Sequence, residues 1–138
     1  MNIFTKYRDG LQLVGRILIS ILFLVAGFGK ISNYAGTGAY MAASGLPLVG
    51  LLEPLTILTE FGGAILVILG LYTRWVGLLW FLFLIPVTLV FHTSPNAMHT
   101  AQDQMINLMK NMSIMGAALY LMANGAGRFS IDQRRGAA

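Results

Sequence analysis

Cysteine is absent, which excludes disulfides, thiol catalysis, iron–sulfur clusters and thiolate metal sites. Charge is almost as scarce, at 10% of the 138 residues, against roughly 25% in an ordinary soluble domain. Acid is the scarcer sign, with five Asp and Glu against nine Lys and Arg. No internal repeat and no low-complexity tract interrupts the chain. The net charge of +4 is scattered rather than gathered into a stripe, so it speaks to membrane orientation, and no nucleic-acid partner is expected. What fills the chain instead is apolar: 57% of the residues are hydrophobic and the mean hydropathy is +0.73. One soluble core of this length could not hide so many large side chains, which excludes a cytosolic enzyme and a disordered tail.

A helix crosses roughly 30 Å of hydrocarbon with about 20 apolar residues. Four segments qualify: residues 11–29, 51–71, 75–91 and 104–123. The expected fold class is therefore all-α, an integral membrane four-helix bundle forming a single domain over residues 1–138. Lys6 and Arg8 precede the first segment as in a secretory signal. Its apolar run is longer than a signal core, contains Arg16 and ends in Gly27-Phe28-Gly29-Lys30, so a retained first helix is expected. Lys6, Arg8, Arg74, Arg128, Arg134 and Arg135 would share one side with both tails. Across the membrane only Lys30 would stand, at a helix end. Both termini are expected in the cytoplasm. The first outer connection, residues 31–50, carries Tyr34, Tyr40, Met41 and Leu46 and suits a short interfacial helix. The second, His92-Thr93-Ser94-Pro95-Asn96, predicts a turn. Tyr72 and Trp75 suit the inner interface.

Polar side chains inside spans are costly and turn toward protein or water. In the second span Glu53, Thr56, Glu60 and Gly63 share one helical face, with Pro54 placed in the first turn, where its missing N–H does no harm. In the fourth, Thr100, Asp103, Gln104, Asn107, Lys110 and Asn111 recur at three- and four-residue steps, with Met105, Met109 and Met112 on the other side. The first span adds Arg16 and Ser20, the third Thr88 and His92. Counting from the outer boundary puts Lys110 roughly 10 Å deep, Glu60 roughly 14 Å and Arg16 roughly 20 Å. These depths predict a buried cluster of Glu60, Lys110, Asn107, Asn111 and Arg16, opening outward toward Glu53, Gln104 and His92. The cluster has two readings: a structural network holding helices in register, or a pocket for a polar headgroup or a proton.

Other features carry less. His92, His99, Met98 and Met105 could together hold copper(I), or the two histidines haem; the intervening turn leaves no shared face, and no metal site is assigned. Pro86 is expected to kink the third span and free the Leu82 carbonyl for Thr88 or a neighbour. Gly62-Gly63 and Gly116-Ala117 are expected at close helix contacts.

Several stretches carry a family likeness. Arg16 followed by Gly27 and Lys30 resembles the opening pattern of the DoxX family. Glu60-Phe61-Gly62-Gly63 with Gly70-Leu71-Tyr72-Thr73-Arg74 is similar to its second-helix signature. Gly125-Ala126-Gly127-Arg128-Phe129-Ser130-Ile131-Asp132 resembles its terminal motif, with Ala126 where proline is usual. The resemblance implies a four-helix inner-membrane protein linked with quinone-dependent sulfur or respiratory oxidation and with oxidative-stress assemblies. It implies a soluble or membrane redox enzyme as partner and quinone as ligand, with no intrinsic cofactor and no catalytic residue assigned, so at most an accessory subunit. Donors for a quinone head would come from Lys110, Asn107, Asn111, Gln104 and His92, and the wall from Phe23, Phe28, Phe61, Phe81 and Phe83. A small proton-coupled carrier and a membrane scaffold are the alternative functions. The third span, poor in polar residues, offers a lipid-facing or homo-oligomer surface.

Overall fold

A computed structural model describes residues 2–93 and 99–136. Helix α1 runs Ile3–Ser32, α2 Tyr34–Ala43 and α3 Val49–Ile57; a π-helical turn, Leu58–Gly62, leads into α4, Gly63–Leu69. Then come α5, Thr73–Phe91, α6, Ala101–Asn124, and the single turn α7, Ile131–Arg134. No β-strand occurs among the described residues. Three helices are long and apolar enough to cross a membrane: Ile3–Ser32, Val49–Leu69 and Thr73–Phe91. The helix expected as a fourth span, α6, has 24 residues, enough for about 36 Å, but its first half carries amide and charged side chains and its hydropathy falls short of the other three.

The first, third and fourth segments are longer as helices than the hydropathy pattern suggests, and the second, Val49–Leu69, is displaced by two residues at the same length. Helix α1 begins at Ile3 because Asn2 caps it, its side chain accepting from the Phe4 N–H at 3.1 Å. Helix α3 begins at Val49 rather than residue 51, so Pro54 sits in its second turn and not its first. A short helix does form in the first connection, as α2. The expected turn over Ser94-Pro95-Asn96, and Met98 of the copper reading, lie outside the described residues.

The packing is that of helices meeting through small residues, with large apolar side chains turned outward. The core is Phe23, Ala64, Val67, Val76, Trp80, Leu84 and Ala118. Phe23 and Trp80 stack with ring centroids 3.9 Å apart. Leu18, Val25, Phe28, Leu58, Leu82 and Leu89 are among the many large apolar side chains left exposed, as expected where lipid is the solvent. Gly27 lets α1 touch the π turn: a Cβ there would lie 2.7 Å from the Phe61 backbone nitrogen. Gly77 of α5 meets the Ala118 carbonyl of α6 in the same way. Gly116, expected at a helix contact, faces open space. Helix α6 runs back beside α5, so the residues after Asn124 return to the end of the bundle that holds the α4–α5 turn.

Candidate functional site

The polar residues separate into two groups at opposite ends of the bundle. At one end Arg16 is 2% exposed and reaches out of α1 to three carbonyls. It donates to Ala126, to Phe129 at 2.8 Å and to Ile68 at 3.1 Å. Asp132 completes the arrangement by accepting from the Tyr72 and Thr73 N–H groups at 2.8 and 2.9 Å. Its carboxylate thereby caps α5, where unpaired backbone donors favour an anion. Gly70, at φ 68°, is required here, since a Cβ would lie 2.4 Å from the Ser130 Cβ. The terminal Gly125–Asp132 motif is thus a clasp tying α1, the α4–α5 turn and the tail together. Arg74 adds to it by donating to the Met122 and Ala123 carbonyls at the end of α6.

This is a correction to the expected cluster. Arg16 does not approach Glu60. The two differ in level because α1 is one continuous helix: Arg16 lies 14 residues, about 21 Å of rise, below Lys30. It is Lys30 that meets Glu60, Nζ to Oε2 at 2.7 Å. Counting residues along α1 keeps Lys30 at the rim, outside the expected cluster. Its position at the far end of the helix that passes the π turn is the signal that could have found it.

At that second end lies a cavity of about 480 Å³, open on one side. Its wall is mainly apolar, from Leu22, Phe23 and Ala26 of α1, Phe83, Leu84, Val87 and Val90 of α5, and Ile114 of α6. Polar groups reach it from five elements: Lys30, Thr37 and Tyr40, Thr56, Glu60, and Lys110 with Asn111. His92, just past α5, also lines it. The π turn is what delivers Glu60. A π turn leaves backbone carbonyls out of the regular ladder, and the Thr59 carbonyl accepts from Trp80 Nε1 at 2.9 Å. The widened turn also carries Glu60 around the axis from Glu53. Glu53 is buried and faces α2 instead, with its Oε2 at 2.6 Å from where a Gly38 Cβ would stand and its Oε1 without a hydrogen-bond partner.

The stripe on α6 proves wider than one face. Gln104 and Asn111 are buried, seven residues apart. Gln104 Oε1 lies 3.2 Å from His92 Nδ1, and Asn111 Nδ2 donates to Thr88 Oγ1 at 3.0 Å. Asn107 is half-buried and Lys110 exposed, Nζ donating to Asn107 Oδ1 at 2.8 Å. Consecutive helical residues point about 100° apart, so Lys110 stands at the edge when Asn111 faces in. Thr100 and Asp103 do not join the interior at all. They form a capping box at the start of α6, with Thr100 N–H and Oγ1 donating to Asp103 Oδ2 at 3.0 and 2.7 Å. Those two bonds, the hydroxyl first, hold the Asp103 carboxyl below its ordinary range.

Of the expected aromatic wall, Phe23 and Phe83 line the cavity, Phe81 packs against the core, Phe61 lies in a separate shallow groove and Phe28 is exposed. Among the described residues no three His, Asp or Glu side chains come together as metal ligands.

The DoxX family profile matches residues 11–93. The inner membrane protein YqjF of Escherichia coli (strain K12) is 42% identical over 128 residues, covering 93% of this chain and 94% of that protein. Inner membrane protein YphA of the same organism is 34% identical over 132 residues, 95% of this chain and 94% of the relative. No solved structure matches.

Proposed function

The chain belongs to the DoxX family, and on that premise we propose that it is a four-span inner-membrane protein whose outer cavity binds a lipophilic ligand with a hydrogen-bonding head, quinone being the expected kind. Helix α6 is the fourth span, with Gln104 and Asn111 buried against α5 and the cavity, and both termini are cytoplasmic. Two relatives named as inner membrane proteins support the location. The return of the tail to the end occupied by Arg16 supports an even number of crossings. So does the sorting of charge: Lys6, Arg8, Arg74, Arg128, Arg134 and Arg135 fall at the clasp end.

One observation carries the ligand reading: a mainly apolar cavity of about 480 Å³ containing the Lys30–Glu60 pair and further polar groups. Sites for small ligands have this composition and a volume of about 300–1,000 Å³. A quinone head fits the groups present. Lys110 and Tyr40 would donate to its oxygens while Phe23 and Phe83 flank its tail, and the quinone would supply the electron-accepting chemistry. The protein's share is to bind and orient, as the accessory subunit of a redox enzyme. Purification with native lipid extraction tests this. Co-purifying quinone, and a rise in melting temperature on adding decylubiquinone, are expected; absence of both would refute it.

The scaffold reading has one observation of its own, since Lys30 and Glu60 neutralise each other without any ligand. Glu60→Ala separates the two. If the quinone-induced thermal shift survives while the melting temperature falls, the pair is structural. Loss of the shift places Glu60 in the binding site.

A further inference from the structure

Resting on that cavity-binding reading, we propose that the ligand's head is acidic: an amphiphile with one hydrocarbon chain and a hydrogen-bond-accepting, singly negative head, selected by Lys110. The charges lining the cavity are Lys30, Lys110 and Glu60. Lys30 and Glu60 cancel at 2.7 Å. Lys110 has no ion pair with any described carboxylate and gives one hydrogen to Asn107. An ammonium has three hydrogens, so two remain for a ligand. Glu53 does not alter this balance at the wall, because it turns against Gly38 of α2 and is not a lining residue.

The remaining polar groups suit the same head. The hydroxyl groups of Tyr40 and Thr56 line the cavity and hold no hydrogen bond to another described side chain. Each can donate to an acceptor oxygen. A cationic head would meet Lys110 unpaired and be repelled. A neutral head can accept from Lys110 but brings no charge to pair with it, so it binds less tightly than an acid. Lys110 is exposed, so it stands where a head can reach it from the mouth while the chain lies along Phe23, Ala26, Phe83 and Val87. A long-chain carboxylate is the simplest such molecule, and an ionised hydroxyquinone meets the same requirement.

The test uses the full chain in zwitterionic nanodiscs, in a Trp75→Phe background. The sequence has two tryptophans, so Trp80 becomes the only reporter, stacked on the lining residue Phe23. Dibrominated palmitate is titrated and Trp80 quenching followed, with competition by palmitate, hexadecanol, hexadecylamine, decylubiquinone and an ionised hydroxyquinone. A charge-assisted hydrogen bond gives a preference of roughly tenfold or more. Palmitate is therefore expected to compete at least about tenfold better than hexadecanol, and hexadecylamine worst. Lys110→Gln is expected to abolish that preference without lowering the melting temperature of the ligand-free protein. Competition by the hydroxyquinone at the level of palmitate, with decylubiquinone weak, would mark a quinone acid as the source; the converse order would mark a fatty acid. Saturable quenching with no preference among heads, or a preference that survives Lys110→Gln, would overturn the acidic-head inference and leave the cavity reading standing. No saturable quenching and no competition by any of the five would overturn the cavity reading itself.

Discussion

Replacing Arg16 by lysine keeps the charge and removes the fork. The guanidinium reaches the carbonyls of Ala126, Phe129 and Ile68 at once. A lysine ammonium is a compact charge on one flexible stem and cannot span three acceptors held by two different segments. Hydrogen bonds to charged groups contribute about 1.5–3 kcal/mol each, which would sum to about 4–9 for three. Measured helix–helix hydrogen bonds in membranes average only about 0.6 kcal/mol, which would give about 2. The site lies at the bundle end and is nearly fully buried, where removing one partner of a buried charged set costs about 3–5 kcal/mol. We expect about 3 kcal/mol for Arg16→Leu and roughly half of that for Arg16→Lys, hence a melting temperature lower by roughly 10 °C for leucine. Size-exclusion chromatography after heating in detergent reads the first quantity. Limited trypsin digestion reads the second consequence, because Arg128, on the loop that Arg16 holds, should be cut faster in both variants. If Arg16→Leu melts with the parent protein and its tail is cut no faster, the clasp is a contact without consequence and the reasoning fails.

Three further outcomes follow from other contacts. Gly27→Ala puts a methyl group against the Phe61 backbone and should cost about 1–3 kcal/mol, read as a lower melting temperature. Trp80→Phe orphans the Thr59 carbonyl of the π turn and should cost about 1–3 kcal/mol. It should also speed amide exchange over residues 58–62, with the start of α6 unaffected. The Asp103 carboxyl, held low by its Thr100 bonds, stabilises the folded form above the ordinary aspartate range. That contribution is lost as pH falls through its depressed folded-state value. The Thr100 amide, whose N–H the Asp103 carboxylate accepts, should therefore lose exchange protection as that carboxyl protonates, and Asp103→Ala should remove the protection at every pH.

Helix existence was legible in the sequence because lipid leaves so strong a mark on composition. Boundaries were less so, since helices continue past the apolar run: Asn2 and Thr100 cap α1 and α6 with polar atoms that a hydropathy count passes over. Periodicity picked out Glu53 of α3, Glu60 of the π turn and Gln104 and Asn111 of α6, which are buried, but on the same stripe it gathered Thr100, Asp103 and Lys110, which are exposed. Their partners were another matter. A one-dimensional depth scale ranked Arg16 below Glu60 but could not say that Arg16 turns toward the tail, because its acceptors are backbone carbonyls, which every residue has. The π turn was equally hidden: nothing in Leu58-Thr59-Glu60-Phe61-Gly62 distinguishes it from a regular turn, and it forms where Trp80 can satisfy the extra carbonyl. The terminal motif was visible as a likeness, while its role emerged only when Asp132 was found on the backbone of Tyr72 and Thr73.

The clasp imposes an order on biogenesis. Arg16 and Ala126 are separated by 110 positions, and at a synthesis rate of roughly 5–20 residues per second the guanidinium emerges some 5–20 s before its last acceptors do. Until then the first helix carries a cation with only one of its three permanent acceptors, the Ile68 carbonyl, in existence. Insertion of that helix is in this sense provisional, ratified only when translation reaches the tail.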